Sequence, residues 1–309
     1  MRSARRGAIA GVLALLLVTA GGCSGRGEKQ VPGDAGVTSY PLGPRPVAIA
    51  IGAGGVWTVD ADEGDALRFD TRESRVVDRV HVGKEPPSAA VDGDRLWVVV
   101  RGDGRVVGVE KGRSKPVASI EIDGDPARVA AGEGAVWVTE SSHETLVRID
   151  PKRAVVTDVL ELGGFPVGVA VGEGAVWVTL AESDSVVRVD PDTLKVTDSI
   201  KVSELPTRVC VGEGSVWVTS ESGPTMSRID PDARKVVDKV RLKGMPTDIA
   251  AGGGAVWVSR DDGMVSRLDP KTGKVRDELR AGMNPVALAV GDGAVWAADR
   301  DGRSLVRIG

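Results

Sequence analysis

PVGVAVGEGAVWVT, residues 166–179, is a sentence that the chain of 309 residues writes seven times with small edits. Pro166 stands eleven residues before Trp177, and the same interval separates Pro46 from Trp57, Pro86 from Trp97, Pro126 from Trp137, Pro206 from Trp217, Pro246 from Trp257 and Pro285 from Trp296. All seven tryptophans of the protein are used up in this way. A chain this long has room for two ordinary domains, but a period of about 40 residues that runs almost end to end predicts one repeat-built unit instead.

Within a repeat, four short runs are rich in β-branched residues, and turn formers separate them. In the fourth repeat these are VGVAV (167–171), AVWVT (175–179), SVVRVD (185–190) and KVTDSIKV (195–202). That is the pattern of strands and hairpins. Gly172 and Gly174 suit a tight turn with positive φ, and Asp190-Pro191 sets a second turn. Helical periodicity appears nowhere after the amino-terminal segment. Four antiparallel strands per repeat predict an all-β fold, a seven-bladed β-propeller whose sheets stand radially around a channel. The tryptophan, mid-strand in every blade, is then expected to wedge between neighbouring sheets.

The two ends of the repeat array fit each other. The seventh repeat stops at Gly309 after SLVRIG and has only three strands, whereas TSYPLG (38–43) aligns without a gap to DVLELG (158–163), the outermost strand of another repeat. The amino-terminal strand is therefore expected to complete the last blade and close the ring, removing an exposed sheet edge. Pro41 is compatible with such a strand, which needs partners on one side only.

Ahead of the ring, Arg2, Arg5 and Arg6 precede an apolar run from Ala8 to Ala20, then Gly21, Gly22 and Cys23. The run is short for a membrane span and reads as an export signal. AGGC resembles a lipobox, which implies cleavage before Cys23 and lipidation of that cysteine. The expected organisation is a signal peptide (1–22), a lipid-anchored tether (23–36) and the propeller (37–309), on the outer side of the cell membrane. Loss of residues 1–22 removes three arginines and no acid, taking the formal net charge from −4 to −7. That balance speaks against nucleic acid as a partner. The other cysteine, Cys210, stands where other repeats carry alanine, as a small core side chain.

The stretch AVWVSRDDGMVSRLDPKTGKV (255–275) and its counterparts resemble the repeats of YVTN/YncE-type and streptogramin-lyase-like (virginiamycin B lyase-like) propellers. The likeness covers residues 37–309 and concerns the residues that build blades. The lyase of that family implies a histidine general base and a magnesium ion held by acidic and histidine side chains. This chain has two histidines, His81 and His143, so a site needing several cannot be assembled. The expected function is accordingly a non-catalytic module for a small molecule or a protein, with no cofactor and no metal. The alternative is a metal-dependent lyase acting on a lactone-like substrate, for which Mg or Ca would be needed.

Residues present in nearly every blade, such as the Arg-x-Asp pairs Arg68/Asp70, Arg148/Asp150, Arg188/Asp190, Arg228/Asp230 and Arg267/Asp269, are read as scaffold, each pair bridging locally. The acidic loop DADEGD (60–65) lacks the spacing of an EF-hand loop. Glycine-rich turns such as GAGG (52–55) precede no phosphate-cradling helix. Positions that vary while the scaffold repeats are more informative. Two residues after each proline, at the start of the innermost strand, stand Arg128, Arg208 and Asp248 among small residues. Three residues after each tryptophan stand Glu140, Arg260 and Asp299, with His143 in the loop that Glu140 opens. Together they are expected to ring the channel mouth with mixed charge, suited to a polar or anionic small molecule or a peptide loop, or else to neutralise one another.

Overall fold

The computed structural model describes residues 36–309. Residues 1–35, on which the expected signal peptide, the expected lipidation of Cys23 and nearly all of the expected tether fall, lie outside the described residues. The rest forms seven four-stranded antiparallel sheets arranged as a propeller. Blade one comprises β2 (Pro46–Gly52), β3 (Gly55–Asp60), β4 (Asp65–Asp70) and β5 (Arg75–His81). Blades two to six repeat the plan from β6 (Ser88–Asp92) to β25 (Val275–Arg280), and blade seven holds β26 (Pro285–Gly291), β27 (Ala294–Asp299) and β28 (Ser304–Ile308).

The fourth strand of blade seven is β1 (Val37–Pro41), paired antiparallel with β28 from Val37↔Ile308 to Pro41↔Ser304. The ring is closed by the amino-terminal strand, as the sequence predicts. Tyr40 fastens the closure sideways: its ring lies 4.8 Å from Phe69 of blade one and 6.2 Å from Trp296 of blade seven.

All seven tryptophans are withdrawn from water, at 0–1 % exposure. Burying an indole contributes about 4–6 kcal/mol as an upper bound from area. Trp137, Trp177 and Trp217 donate their indole N–H to Gly132, Gly172 and Gly212 carbonyls at 3.1, 3.2 and 3.3 Å. Gly132 itself sits in the seam at φ +153°, where a Cβ would approach Val171 Cγ1 of the next blade to 2.7 Å. Gly172 (φ 159°) and Gly174 (φ 64°) both take positive φ as expected, and Glu173 (φ 51°) joins Gly174 as the central pair of the turn.

The Arg-x-Asp pairs are scaffold, but they do not bridge to each other. Each aspartate accepts backbone N–H groups of the turn that follows, as Asp150 does from Lys152 and Arg153 at 2.8 and 3.0 Å. The arginine turns back across the strands. Arg148, Arg228 and Arg267 lie 5.5 Å above Trp137, Trp217 and Trp257. Arg68 and Arg267 meet Asp78 and Asp277 of the outermost strand at 2.6 and 3.4 Å. Blade two departs from this in sequence and restores it in space. Gly108 stands opposite Trp97, and Arg95 of the tryptophan's own strand covers the ring at 5.3 Å while pairing with Glu110 at 2.9 Å.

Candidate functional site

One backbone hydrogen bond, repeated in all seven blades, shapes the channel mouth. The N–H of the residue four places after each tryptophan donates to the carbonyl just before each blade's first proline, as in Arg101 to Glu85, Glu221 to Leu205 and Arg300 to Asn284, at 2.9–3.2 Å. Strand two therefore ends pinned to the start of strand one. Alternation along the strand then turns residue three after the tryptophan under the loop and residue four toward the opening.

The consequence divides the seven predicted site residues. Glu140 is fully buried and saturated: its carboxylate accepts from Asp125 N (2.7 Å), Ser142 N (2.6 Å), His143 N (2.8 Å) and Thr145 Oγ1 (3.3 Å). Burial pushes this carboxyl up, but the bonds from Ser142, Asp125 and His143 outweigh it and hold it below the usual range. Asp299 accepts from Met283 N and Asn284 N at 3.1 and 2.8 Å in the same way. Arg260, 3 % exposed, is clasped by Asp262 at 2.8 Å, by Ser266 at 2.9 Å and by Glu278. His143 is mostly exposed, with Nδ1 3.3 Å from Glu140. His81, on the outer strand β5, points to Asp65 at 3.0 Å. These groups hold loops, and neither histidine lines the channel.

Arg128, Arg208 and Asp248 do meet in the channel. They begin the innermost strands of blades three, five and six, β10 (Pro126–Gly132), β18 (Pro206–Gly212) and β22 (Pro246–Gly252). Arg208 Nε lies 3.6 Å from Asp248 Oδ1 and donates to the Thr247 carbonyl at 3.2 Å. Asp248 Oδ2 accepts from Leu288 N at 2.7 Å. Burial raises the Asp248 carboxyl above the usual range, with Arg208 pulling the other way. Arg128 forms no ion pair; it donates to the Pro87 carbonyl. Burial, and next the charge of Arg208, press its guanidinium well below the ordinary arginine value, with Asp248 offsetting only part of this. A cation so placed is short of negative charge.

Between the two arginines, Gly168 of blade four has no room for a side chain, since a Cβ would come within 2.5 Å of the Thr207 carbonyl. Blade four therefore contributes backbone alone between the guanidinium-bearing strands. Above them opens a cavity of about 710 Å³. Below them the channel narrows to about 150 Å³ among aliphatic side chains such as Ile51, Val209 and Val290. The upper cavity also receives Arg101, Arg300, Glu85 and Glu221, which sequence reasoning missed. The signal that finds Arg101, Glu221 and Arg300 is the residue four, not three, after each tryptophan.

Among the described residues no three His, Cys, Asp or Glu side chains gather as a metal-binding set. No family model matches the chain, and no curated protein matches it. Solved structures do. The streptogramin B lyase structure superimposes with a TM-score of 0.76 at 17 % identity, over 89 % of this chain and 97 % of that one. Hydrazine synthase of Kuenenia stuttgartiensis gives 0.75 at 16 % identity, over 85 % and 94 %. At such identities the likeness is one of fold: this chain is a seven-bladed β-propeller similar in architecture to both.

Proposed function

We propose that the protein is a lipid-anchored propeller on the outer side of the cell membrane that binds an anionic small molecule at its channel mouth and does no chemistry on it. The observation that carries this reading is Arg128: a guanidinium in the channel, beside a second one, hydrogen-bonded to a carbonyl, while the carboxylate acting on it, Asp248, is paired with Arg208 and Leu288 N–H instead. Four arginines against two glutamates line the upper cavity, in a protein whose overall charge is negative. A carboxylate, sulfate or phosphate group bridging Arg128 and Arg208 would supply the missing charge through bonds that guanidinium geometry favours.

The anchoring part of the proposal is supported by the residues of the export signal and by where the ring begins. Gly309 N–H donates to the Gly36 carbonyl at 3.1 Å, at the end of β1 away from the mouth. A tether from Cys23 would join the ring at that face, the one opposite the cavity mouth. The lyase reading finds no comparable support, because the carboxylates and histidines it needs are spread over separate loops and blades.

The test is calorimetric titration of the wild type and of an Arg128→Gln/Arg208→Gln variant with a panel of small carboxylates, sulfates and phosphates. At least one should bind the wild type, and the variant should lose about tenfold or more in affinity. Undiminished binding by the variant removes the site from the channel. Detergent-phase partitioning that is unchanged in Cys23→Ala cells removes the lipid anchor.

A further inference from the structure

The rim of the mouth is two-faced. The residues before the first proline of blades one to three are Arg45, Glu85 and Asp125; those before the proline of blades four to six are Phe165, Leu205 and Met245. The charged half is partly paired, Arg45 with Asp62 at 2.6 Å and Arg101 with Asp125 at 3.3 Å. The apolar half faces water. Phe165 is 40 % exposed, Leu205 47 % and Met283, in the loop leading to blade seven, 66 %. The other large apolar side chains that are exposed among the described residues lie on or beside outermost strands, as Val155, Val156 and Val159 do on β13 (Val155–Glu161). Those at the mouth are therefore a separate group, and they sit on one arc.

That arc continues into the cavity. Met245 lines it together with Val167, Val286 and Pro246, on the side of the channel from which Arg208 projects. Exposed apolar surface next to a recessed, under-neutralised guanidinium describes a ligand with two ends. A purely inorganic anion would use the arginines and leave the arc wet. A neutral apolar compound would cover the arc and leave Arg128 unanswered.

Resting on the anion reading above, we infer that the ligand is an amphipathic organic anion, with its acidic head between Arg128 and Arg208 and its apolar body against the arc formed by Phe165, Leu205, Met245 and Met283. The charge complementarity is specific to an anionic head group, and the volume of about 710 Å³ is ample for a body of eight to ten carbons. The head enters first, because the guanidiniums lie below the rim.

Calorimetry with butyrate, decanoate and 1-octanol as probes tests this. Each methylene moved from water is worth about 0.8 kcal/mol when fully buried, so partial cover of six additional ones should make decanoate bind on the order of 10- to 100-fold tighter than butyrate. A Phe165→Ser/Leu205→Ser/Met283→Ser variant, altered only at exposed positions and checked by its melting profile, should lose most of that ratio while keeping butyrate affinity. Arg128→Gln should weaken both acids about equally, and 1-octanol should bind neither protein measurably. Equal affinity for the two acids, or an unchanged ratio in the triple variant, overturns the apolar half and leaves the anion site standing. Failure of both acids to bind the wild type overturns this inference, and the anion reading falls with it if no sulfate or phosphate of the wider panel binds either; octanol binding as tightly as decanoate overturns the role given to the arginines.

Discussion

Arg260 and Arg128 are both arginines that the fold draws away from bulk water, and their surroundings are opposite. Arg260 lies under a loop of blade six, where Asp262, Glu278 and Ser266 take up its donors. Its own burial would lower the guanidinium, but the bonds it donates to the Asp262 and Glu278 carboxylates overrule that and raise it. Arg128 lies in the channel, where burial and Arg208 lower it and only the Pro87 carbonyl receives it. A charge answered on every side is architecture. A charge left short at the edge of a cavity is what the proposed anion would answer.

The strongest way to break this contrast is to open the ring. Deleting residues 36–43 removes β1 and the Tyr40 contact between blades seven and one, and both regions should suffer. The apparent melting temperature is expected to fall by about 10 °C or more, with new oligomers on size exclusion. An unchanged melting profile would show that closure does not hold the mouth together. Next in size is Glu140→Ala, which strips a partner from three backbone donors and one hydroxyl. It should cost about 3 kcal/mol in denaturant unfolding and leave anion affinity within about twofold.

Arg260→Met sharpens the contrast. It leaves Glu278 and Asp262 without their shared partner, and both can reach water, so the expected loss is about 2 kcal/mol, again with little change in binding. Arg128→Gln should do the reverse, weakening capture of the anion while leaving stability unchanged or higher by about 1 kcal/mol. A destabilising Arg128→Gln would mean that this arginine is scaffold after all.

The smallest effect concerns pH. Asp248 has its pKa raised by burial, so on acidification it takes up a proton before an ordinary aspartate does. Arg208 then loses its nearest negative charge, and anion affinity should climb as pH falls from neutral toward that range. Asp248→Asn should flatten the dependence and bind about 3- to 10-fold tighter at pH 7. A wild-type affinity that falls on acidification, for an anion that itself stays ionised, would contradict the geometry.

The fold was legible because the same problem is solved seven times, so tryptophans and turns at fixed intervals leave few alternatives. The latch was legible as a missing strand at one end and a surplus one at the other. Within the site, Arg128, Arg208 and Asp248 stood out because charged residues at a position that is small elsewhere must face open space or a partner. Glu140, Arg260 and Asp299 stood out because their position varies from blade to blade, but their partners lie in loops and in an outer strand. Glu278, for instance, is 18 residues beyond Arg260. No spacing rule announces that pairing. A shift of one residue along a strand changes the face, which is why sequence alone does not tell the loop-holding position from the mouth position beside it, where Arg101 and Arg300 stand.

The repeated N–H to carbonyl bond around the mouth has an implication for how such a protein changes over generations. Those seven contacts engage main-chain atoms alone, at positions occupied by residues as unlike as Ala61, Arg101, Glu221 and Asp261. Mutation can therefore rewrite what the opening selects, one blade at a time, without disturbing the frame on which the rewriting is done.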